Sequence, residues 1–251
     1  MTTERIPVFI LAGGRGERLA EVADRPKPLV EVGGRPFAAL LLDALARQGF
    51  RRFFFLTGYR GEEFEPFLNR MRVALSDRLP PAAAAGADLE LRGLREETPL
   101  GTGGALRGAL PYVDRTALVL NGDTFCDLDH RALLALHFGN GDAFCLAAAR
   151  MADASDYGTL GLDDDGRVLA LHEKGATGPG WVNAGAYAVP RGFLETIPAG
   201  PASLERELLP AWLARESVWA YRVASGFHDI GTPERLERAR RELASPDLRR
   251  P

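Results

Sequence analysis

Val8-Phe9-Ile10-Leu11-Ala12-Gly13-Gly14-Arg15-Gly16-Glu17-Arg18, running on to Pro26-Lys27-Pro28, decides how the chain is read. Val8–Leu11 is a short, unbroken apolar run, the pattern of a parallel strand covered on both faces. It opens into a loop with three glycines and two arginines, followed by a lysine between prolines. Gly13, Gly14 and Gly16 lack a Cβ, so the backbone can turn sharply and bring its N–H groups against a ligand. Arg15, Arg18, Arg25 and Lys27 add cations around those donors. Such a loop suits a triphosphate.

The spacing separates this loop from the commoner glycine turns. A dinucleotide fingerprint needs glycine where Leu19 stands, and a P-loop needs Gly-Lys-Ser/Thr, which does not occur in the chain. With Arg18 in the loop and Pro26-Lys27-Pro28 beyond it, the stretch resembles the sugar-1-phosphate nucleotidylyltransferases, whose signature is Gly-Gly-x-Gly-Thr-Arg-Leu followed by Pro-Lys-Pro. Glu17 stands where that family usually has Thr. Against the resembled family this departure calls a hydroxyl contact into question and implies an anion close to the phosphate path.

The chain has 251 residues and a formal net charge of −3. That length suits one large α/β domain or two small ones, and it buries enough surface to need no staple. The slightly acidic balance argues against a general nucleic-acid or anionic-membrane binder, and the cations of the first loop read as a local cluster. Two cysteines, Cys126 and Cys145, lie in apolar, strand-like contexts and cannot make a metal cluster. A reduced, cytoplasmic protein is expected. Val8–Ala12 is too short for the apolar core of a secretion signal, and no run reaches the ~20 apolar residues of a membrane span.

Strand and helix patterns alternate along the first half. Pro36 reads as a first helical residue, and Phe37, Leu40, Leu41, Ala44 and Leu45 share one helix face that ends at Gly49. Phe53–Leu56 is a second buried strand, and Phe64, Phe67, Leu68 and Met71 repeat the helical spacing. This order predicts an α/β fold with a doubly wound, mostly parallel sheet, in which ligands gather at the carboxyl ends of the strands. Residues 78–87, with Pro80-Pro81 and a run of alanines, read as a surface loop. Leu89–Leu91 alternates as a strand. Pro99-Leu100-Gly101-Thr102-Gly103-Gly104 is a second glycine turn opening a helix to Leu110, and Ala117–Leu120 is a buried strand ending in Asn121-Gly122-Asp123. From Ala143 strands dominate, with a hairpin at Asp163–Gly166 and strands at Trp181–Val189 and Val218–Val223. A helix carrying Leu204, Leu208, Trp212 and Leu213 lies between the last two, and Thr232-Pro233 starts a final helix. The reading is a single nucleotidyltransferase domain over 1–251, with a nucleotide-binding half near 1–140 and a small β-rich sugar-binding half near 141–251.

Asp123, at the end of a buried strand and the edge of the first loop, can hold Mg²⁺ against phosphate oxygens. The resembled family uses the Asp of Asn-Gly-Asp and a late Asp before a glycine turn as its metal pair. Here these are Asp123 and Asp229, the latter in Phe227-His228-Asp229-Ile230-Gly231. The same resemblance implies that Arg18, Lys27 and Asp123 are catalytic. It makes Leu11, Ala12, Gly13, Gly14, Arg15 and Gly16 nucleotide-binding, together with Gly101 and Thr102. Glu173-Lys174 matches the family's pair on the sugar phosphate, Asn183-Ala184-Gly185 its Asn-x-Gly sugar strand, and Tyr157-Gly158 another sugar-side position. Glu96 falls near the position that reads the base. A carboxylate there accepts from both N1–H and the 2-amino group of guanine and finds no such donor pair on uracil. Glu97 takes its place if the turn is shifted by one residue, and His228 reads as a packed or solvated histidine.

Pro99-Leu100-Gly101-Thr102 and Asp229-Ile230-Gly231 look like the guanylyl branch. Asp24–Pro28 with Gly34-Arg35-Pro36-Phe37 looks most like the D-glycero-D-manno-heptose 1-phosphate guanylyltransferases, the similarity spanning about residues 6–243. The implied reaction is attack of a sugar 1-phosphate on the α-phosphorus of GTP, with Mg²⁺ as cofactor, releasing pyrophosphate. GTP and the sugar 1-phosphate are the implied partners, nucleic acid and membrane are not, and a homo-oligomer is left open. The alternatives are mannose 1-phosphate guanylyl transfer, the same chemistry with another nucleotide, and a silent regulatory paralogue that binds nucleotide sugars. A molybdopterin guanylyltransferase shares the Leu-Ala-Gly-Gly opening but would not carry Pro-Lys-Pro and the sugar-side motifs.

Overall fold

The apolar run at Val8 becomes the first strand. In the computed structural model, which describes residues 2–19, 24–78, 88–172, 174–175, 177–223 and 226–243, β1 spans Pro7–Ala12 and buries Val8, Phe9 and Ile10 completely. A hairpin follows, β2 (Glu31–Val32) and β3 (Arg35–Pro36), closed by Gly33 and Gly34 at φ 60° and 75°. Two left-handed residues are what a two-residue hairpin turn requires. Then come α1 (Phe37–Arg47), β4 (Arg52–Thr57), α2 (Phe64–Ser76) and β5 (Glu90–Arg95). The chain continues through α3 (Gly101–Ala109), β6 (Thr116–Asn121), β7 (Thr124–Cys126), α4 (His130–Gly139) and β8 (Phe144–Met151). β9 (Thr159–Leu162), β10 (Val168–His172), β11 (Gly180–Pro190), α5 (Arg191–Thr196) and α6 (Leu209–Leu213) follow. It closes with β12 (Val218–Val223), β13 (Phe227–Asp229) and α7 (Pro233–Leu243).

Two compact units result. Met1–Pro99, Asn121–Phe125 and His228–Pro251 make the first, and Leu100–Leu120 with Cys126–Phe227 makes the second. In the first unit β1 lies parallel to β4, from Pro7 opposite Arg52 to Ala12 opposite Thr57, and β4 lies parallel to β5, from Arg52 opposite Glu90 to Thr57 opposite Arg95. This register brings the ends of three strands level, so the segments that begin at Gly13, Gly58 and Glu96 leave the sheet side by side. The strands are anchored by stacking of Phe9 on Phe54 at 5.2 Å and by the edge of Phe67 against Phe55 at 5.9 Å. α2 buries Phe64, Phe67, Leu68 and Met71, as the 3.6-residue spacing predicts, and Leu75 a turn further on. α1 buries Phe37, Leu41 and Leu45 of the expected face, but Leu40 and Ala44 are only half-buried and Leu42 lies in the core instead, so the covered stripe is rotated from the one the spacing marks. Each such side chain stabilises by roughly 1.5–3 kcal/mol when fully buried. Arg51, itself buried, donates to the carbonyls of Ala46 and Phe50 and so satisfies the end of α1. Pro36 ends β3 instead of starting α1, because the hairpin is pinned by Phe37 N donating to Val30 O at 2.9 Å.

The second unit is the β-rich part. β11 runs antiparallel to β8 and β9 through its first half, and to β8 and β6 through its second; β12 lies parallel to β8 and β10 antiparallel to β9. Phe193 packs edge-on against both Phe144, at 4.9 Å, and Trp212, at 5.2 Å. Where helical spacing predicts one helix, Leu204–Leu208 forms a wide π-type turn that passes into α6. Pro210 has no N–H to give the carbonyl four residues back, which breaks the regular ladder there. The α/β fold with a parallel sheet and a β-rich part is thus the fold observed. No helix among the described residues is long and apolar enough to cross a membrane. Residues 79–87 of the expected surface loop and Glu173 lie outside the described residues.

Candidate active site

In the first unit the level strand ends bring Glu96 onto two glycine backbones. A Cβ built on Gly58 would overlap Glu96 Oε1, and one on Gly13 would stand 3.0 Å from it. The arrangement is fixed by Glu96 N donating to Thr57 O at 2.9 Å and by Tyr59 N donating to Gly13 O at 3.3 Å. A carboxylate therefore sits beside the first glycine loop, 83 positions on from Gly13 in the chain.

Gly16, at φ 67°, makes room for Lys27: a Cβ there would lie 2.9 Å from Lys27 Cγ. The prolines confine Lys27–Leu29 to a single tight turn, with Leu29 N donating to Pro26 O at 2.8 Å. Lys27 Nζ, held this way, donates to Asp123 Oδ2 at 3.0 Å. Asp123 reaches it because Gly122 lies flat on the end of β1. Gly122 N donates to Leu11 O at 3.0 Å, and a Cβ would stand 2.6 Å from that oxygen and 2.9 Å from Pro28 Cγ. Arg15, Gly16, Glu17, Arg18 and Lys27 line one surface depression. Glu17 therefore faces the same space as the cations. Arg25, in contrast, is paired with Glu31 at 3.8 Å.

Asp229 is joined to this loop through the backbone, Ile230 N donating to Asp123 O at 3.0 Å. Its Oδ1 accepts from Gly231 N at 3.0 Å and from Arg235 Nη1 at 3.1 Å. Arg18 Nη2 stands 3.9 Å from where a Gly231 Cβ would lie. Both carboxylates proposed for metal are thus hard oxygen donors on hydrogen-bonded neighbouring segments, each with a side-chain cation. Among the described residues no cluster of three or more His, Cys, Asp or Glu forms, and a pair of carboxylates suits an ion that takes its remaining ligands from phosphate and water, as Mg²⁺ does. His228 is lowered below its ordinary pKa by burial, and its Nδ1 lies 3.0 Å from Glu242 Oε2.

In the second unit the glycine turn at 101–104 has a packing reason. Cβ atoms on Gly101 and Gly103 would stand 2.6 and 3.0 Å from Ala202 O, and one on Gly104 would stand 2.5 Å from Gly200 O. Gly103 N already donates to Ala202 O at 2.8 Å. Thr102 Oγ1 donates to Glu205 Oε2 at 3.1 Å and accepts from Leu204 N at 2.8 Å. Asn183 lies where β11 shifts register before Tyr187, with Gly185 at φ 73°. A glycine in that conformation marks a bulge, which re-aims neighbouring side chains. Gly158 precedes β9, where a Cβ would lie 3.1 Å from His172 O, and the Tyr157 ring packs edge-on against Phe227 at 5.8 Å. Lys174 is exposed just after β10. Burial pushes the thiols of Cys126 and Cys145 up to about 12, which leaves them chemically quiet.

Residues 7–245 match the model of the family described as nucleotidyl transferase. The chain belongs to the nucleotidyl transferase family. It is 33% identical to the mannose-1-phosphate guanylyltransferase of Mycobacterium tuberculosis, the match covering 99% of this chain and 69% of that protein. It is 29% identical to the D-glycero-alpha-D-manno-heptose 1-phosphate guanylyltransferase of Campylobacter jejuni, covering 90% of this chain and 95% of that one. The crystal structure of HddC from Yersinia pseudotuberculosis complexed with GMP-PN resembles it with a TM-score of 0.77 at 31% identity, over 95% of this chain and 99% of that one.

Several groups in this nucleotidyl transferase escape a reading of the sequence. Arg235 sits in the first turn of α7, where a cation opposes the helix dipole unless an anion is near. That misplacement is the one local signal that it has a partner, and the partner is Asp229. Glu205 and Tyr187 carry no such signal, since both look like ordinary helix and strand residues.

Proposed function

We propose that this nucleotidyl transferase moves a guanylyl group from GTP to a sugar 1-phosphate, with D-glycero-D-manno-heptose 1-phosphate as the acceptor. The observation that carries the reading is the Lys27–Asp123 pair, seated against the first glycine loop by Gly16 and Gly122. The guanylyltransferase names of its relatives and the GMP-PN in the Yersinia structure support the choice of nucleotide. The 33% identity to the Mycobacterium tuberculosis protein favours mannose 1-phosphate as the second reading of the acceptor. The joint presence of Arg18, Lys27, Asp123, Asp229 and Lys174 argues against a silent regulatory paralogue.

The acceptor phosphate is already ionised, so the enzyme needs neither a protein nucleophile nor a general base. Positioning and charge neutralisation accomplish the reaction. A phosphate oxygen of the sugar attacks the α-phosphorus in line, the bond to the β-phosphate breaks, and pyrophosphate departs. Backbone N–H groups of Gly13 to Gly16, entered from Leu11 and Ala12, receive the triphosphate with Arg15. Arg18 and Lys27 balance the charge that grows on the leaving group. Glu96 accepts from the guanine edge, while Gly101 and Thr102 approach the nucleotide through their backbone. Lys174, with Glu173, meets the acceptor phosphate, and Asn183, Tyr157 and Gly158 receive the sugar. Asp123 and Asp229 would hold Mg²⁺, which when bound supplies further charge neutralisation on the phosphates. The nucleotide half near 1–140, the sugar half near 141–251 and a cytoplasmic setting complete the proposal.

Pyrophosphate release with GTP, Mg²⁺ and a panel of sugar 1-phosphates tests it. Turnover with one manno-configured acceptor and GTP is expected. Tight GTP binding without release on any acceptor would favour the regulatory paralogue, and a preference for another triphosphate would remove the guanylyl assignment.

A further inference from the structure

We propose that Glu205 is a positioning residue that fixes the amide of Asn183 through Tyr187, and with it the orientation of the bound sugar. The inference rests on the reading of Asn183 as a sugar-facing residue. Its basis is a hydrogen-bonded chain inside the second unit that joins four side chains from three separate stretches of sequence.

The direction of each bond follows from donor and acceptor accounting. Gly185 N–H can only donate, and it meets Asn183 Oδ1 at 3.0 Å. The amide nitrogen of Asn183 is thereby turned to the Tyr187 hydroxyl, 2.9 Å away, which accepts from it. That hydroxyl must hand its own proton onward, and Glu205 Oε1 takes it at 3.3 Å. The other oxygen, Oε2, accepts from Thr102 Oγ1 at 3.1 Å, and Thr102 is itself fixed by Leu204 N at 2.8 Å. Among the described residues these bonds use one amide N–H and one carbonyl lone pair of Asn183, and the other of each is what a ligand would meet.

Backbone irregularities build both ends of this chain. The register of β11 shifts between Asn183 and Tyr187, with Gly185 in the left-handed region, and Glu205 stands in the wide turn Leu204–Leu208. Bulges and π-type turns recur where a side chain has to be aimed. Tyr187 is wholly buried, so its hydroxyl is oriented by protein groups and not by bulk water, and the bond to Glu205 Oε1 turns its lone pair toward the amide of Asn183. A plain core tyrosine would not explain why both carboxylate oxygens are engaged on the route between the glycine turn and the sugar strand.

The test uses steady-state kinetics of the intact enzyme with GTP and whichever sugar 1-phosphate it turns over. Glu205→Gln keeps the size of the side chain but presents a donor to one of two hydroxyls. We expect KM for the sugar 1-phosphate to rise about 5- to 10-fold, the range of one lost hydrogen bond, with KM for GTP unchanged. Tyr187→Phe should do the same, and Asn183→Ala combined with Glu205→Gln should lose no more than Asn183→Ala alone. If Asn183→Ala raises the sugar KM and neither Glu205→Gln nor Tyr187→Phe does, the positioning role is overturned and the sugar reading stands. If Asn183→Ala leaves the sugar KM unchanged, the sugar reading falls and the positioning role with it. A fall in kcat at constant KM, together with a lower melting temperature, would mean a structural role only. If Glu205→Gln does not fold, Tyr187→Phe decides by the same criteria.

Discussion

Lys27 Nζ and Asp123 Oδ2, 96 positions apart in the chain, lie 3.0 Å from one another. Neither is fully buried, the side chains retaining 18% and 33% of their exposure. An ion pair this open contributes little to stability, about 0–1 kcal/mol. Stability therefore gives little reason for the pair, which is consistent with the proposed role of both groups at the phosphates.

Lys27→Ala and Arg18→Ala are therefore expected to fold normally and to turn over slowly. Removing one contact to developing charge costs typically ~3–4 kcal/mol, or roughly 10²–10³ in kcat. Circular dichroism checks the fold and pyrophosphate release the rate. Near-normal turnover of either variant at saturating GTP would remove the first loop from the triphosphate site.

Asp123→Asn and Asp229→Asn should each abolish metal-dependent turnover, with Mg²⁺ or Mn²⁺ serving the wild type. Asp229 carries a second expectation, since it is almost wholly buried against Arg235. Neutralising it removes a buried charge that faces that guanidinium at 3.1 Å, so Asp229→Asn should also melt at a lower temperature than Asp123→Asn. Full activity in the presence of a chelator would end the metal assignment.

Glu96 lies against Gly13 and Gly58, within the loop cluster that would take the nucleotide. Sites built on paired hydrogen bonds discriminate strongly, because the wrong base leaves buried groups unpaired. GTP should exceed UTP in kcat/KM, and Glu96→Gln should narrow that ratio, with Glu97→Gln as the comparison. Unchanged ratios in both variants would leave the base to be read by main chain alone.

The buried histidines make the fold acid-sensitive. Desolvation lowers His130 from its ordinary 6.5 to about 4, and burial lowers His137, whose ring meets Thr116 Oγ1 and Ala143 O. The unfolded chain takes up a proton near pH 6.5 that the folded chain refuses until about pH 4. The contribution of His130 to stability should therefore be full above pH 6.5 and fall as the pH drops toward 4, by roughly 3 kcal/mol. Urea melts between pH 7.5 and 4.5 should show the loss, and His130→Gln should flatten it. Equal slopes for both proteins would remove His130 from the acid limb.

The sequence by itself determined the elements whose information is local. The apolar run at Val8, the helical spacing from Phe37 and the cap at Thr232 each act within a few residues, through sterics and burial on one face. The same holds for the turn at Gly16 and for Lys27 between its prolines, whose conformation is set by neighbouring residues. Only the tertiary structure decided that Glu96 lies on Gly13 and Gly58, that Gly122 must be bare to admit Asp123, and that Arg235 balances Asp229. It also decided that Gly101, Gly103 and Gly104 make room for the segment from Gly200 to Leu208, and that Thr102, Glu205, Tyr187 and Asn183 form one chain. Each of these depends on strand register or on the approach of segments distant in sequence. Hydrogen-bond partners at such distances are selected by the packing of the whole core, and no spacing rule along the chain encodes them.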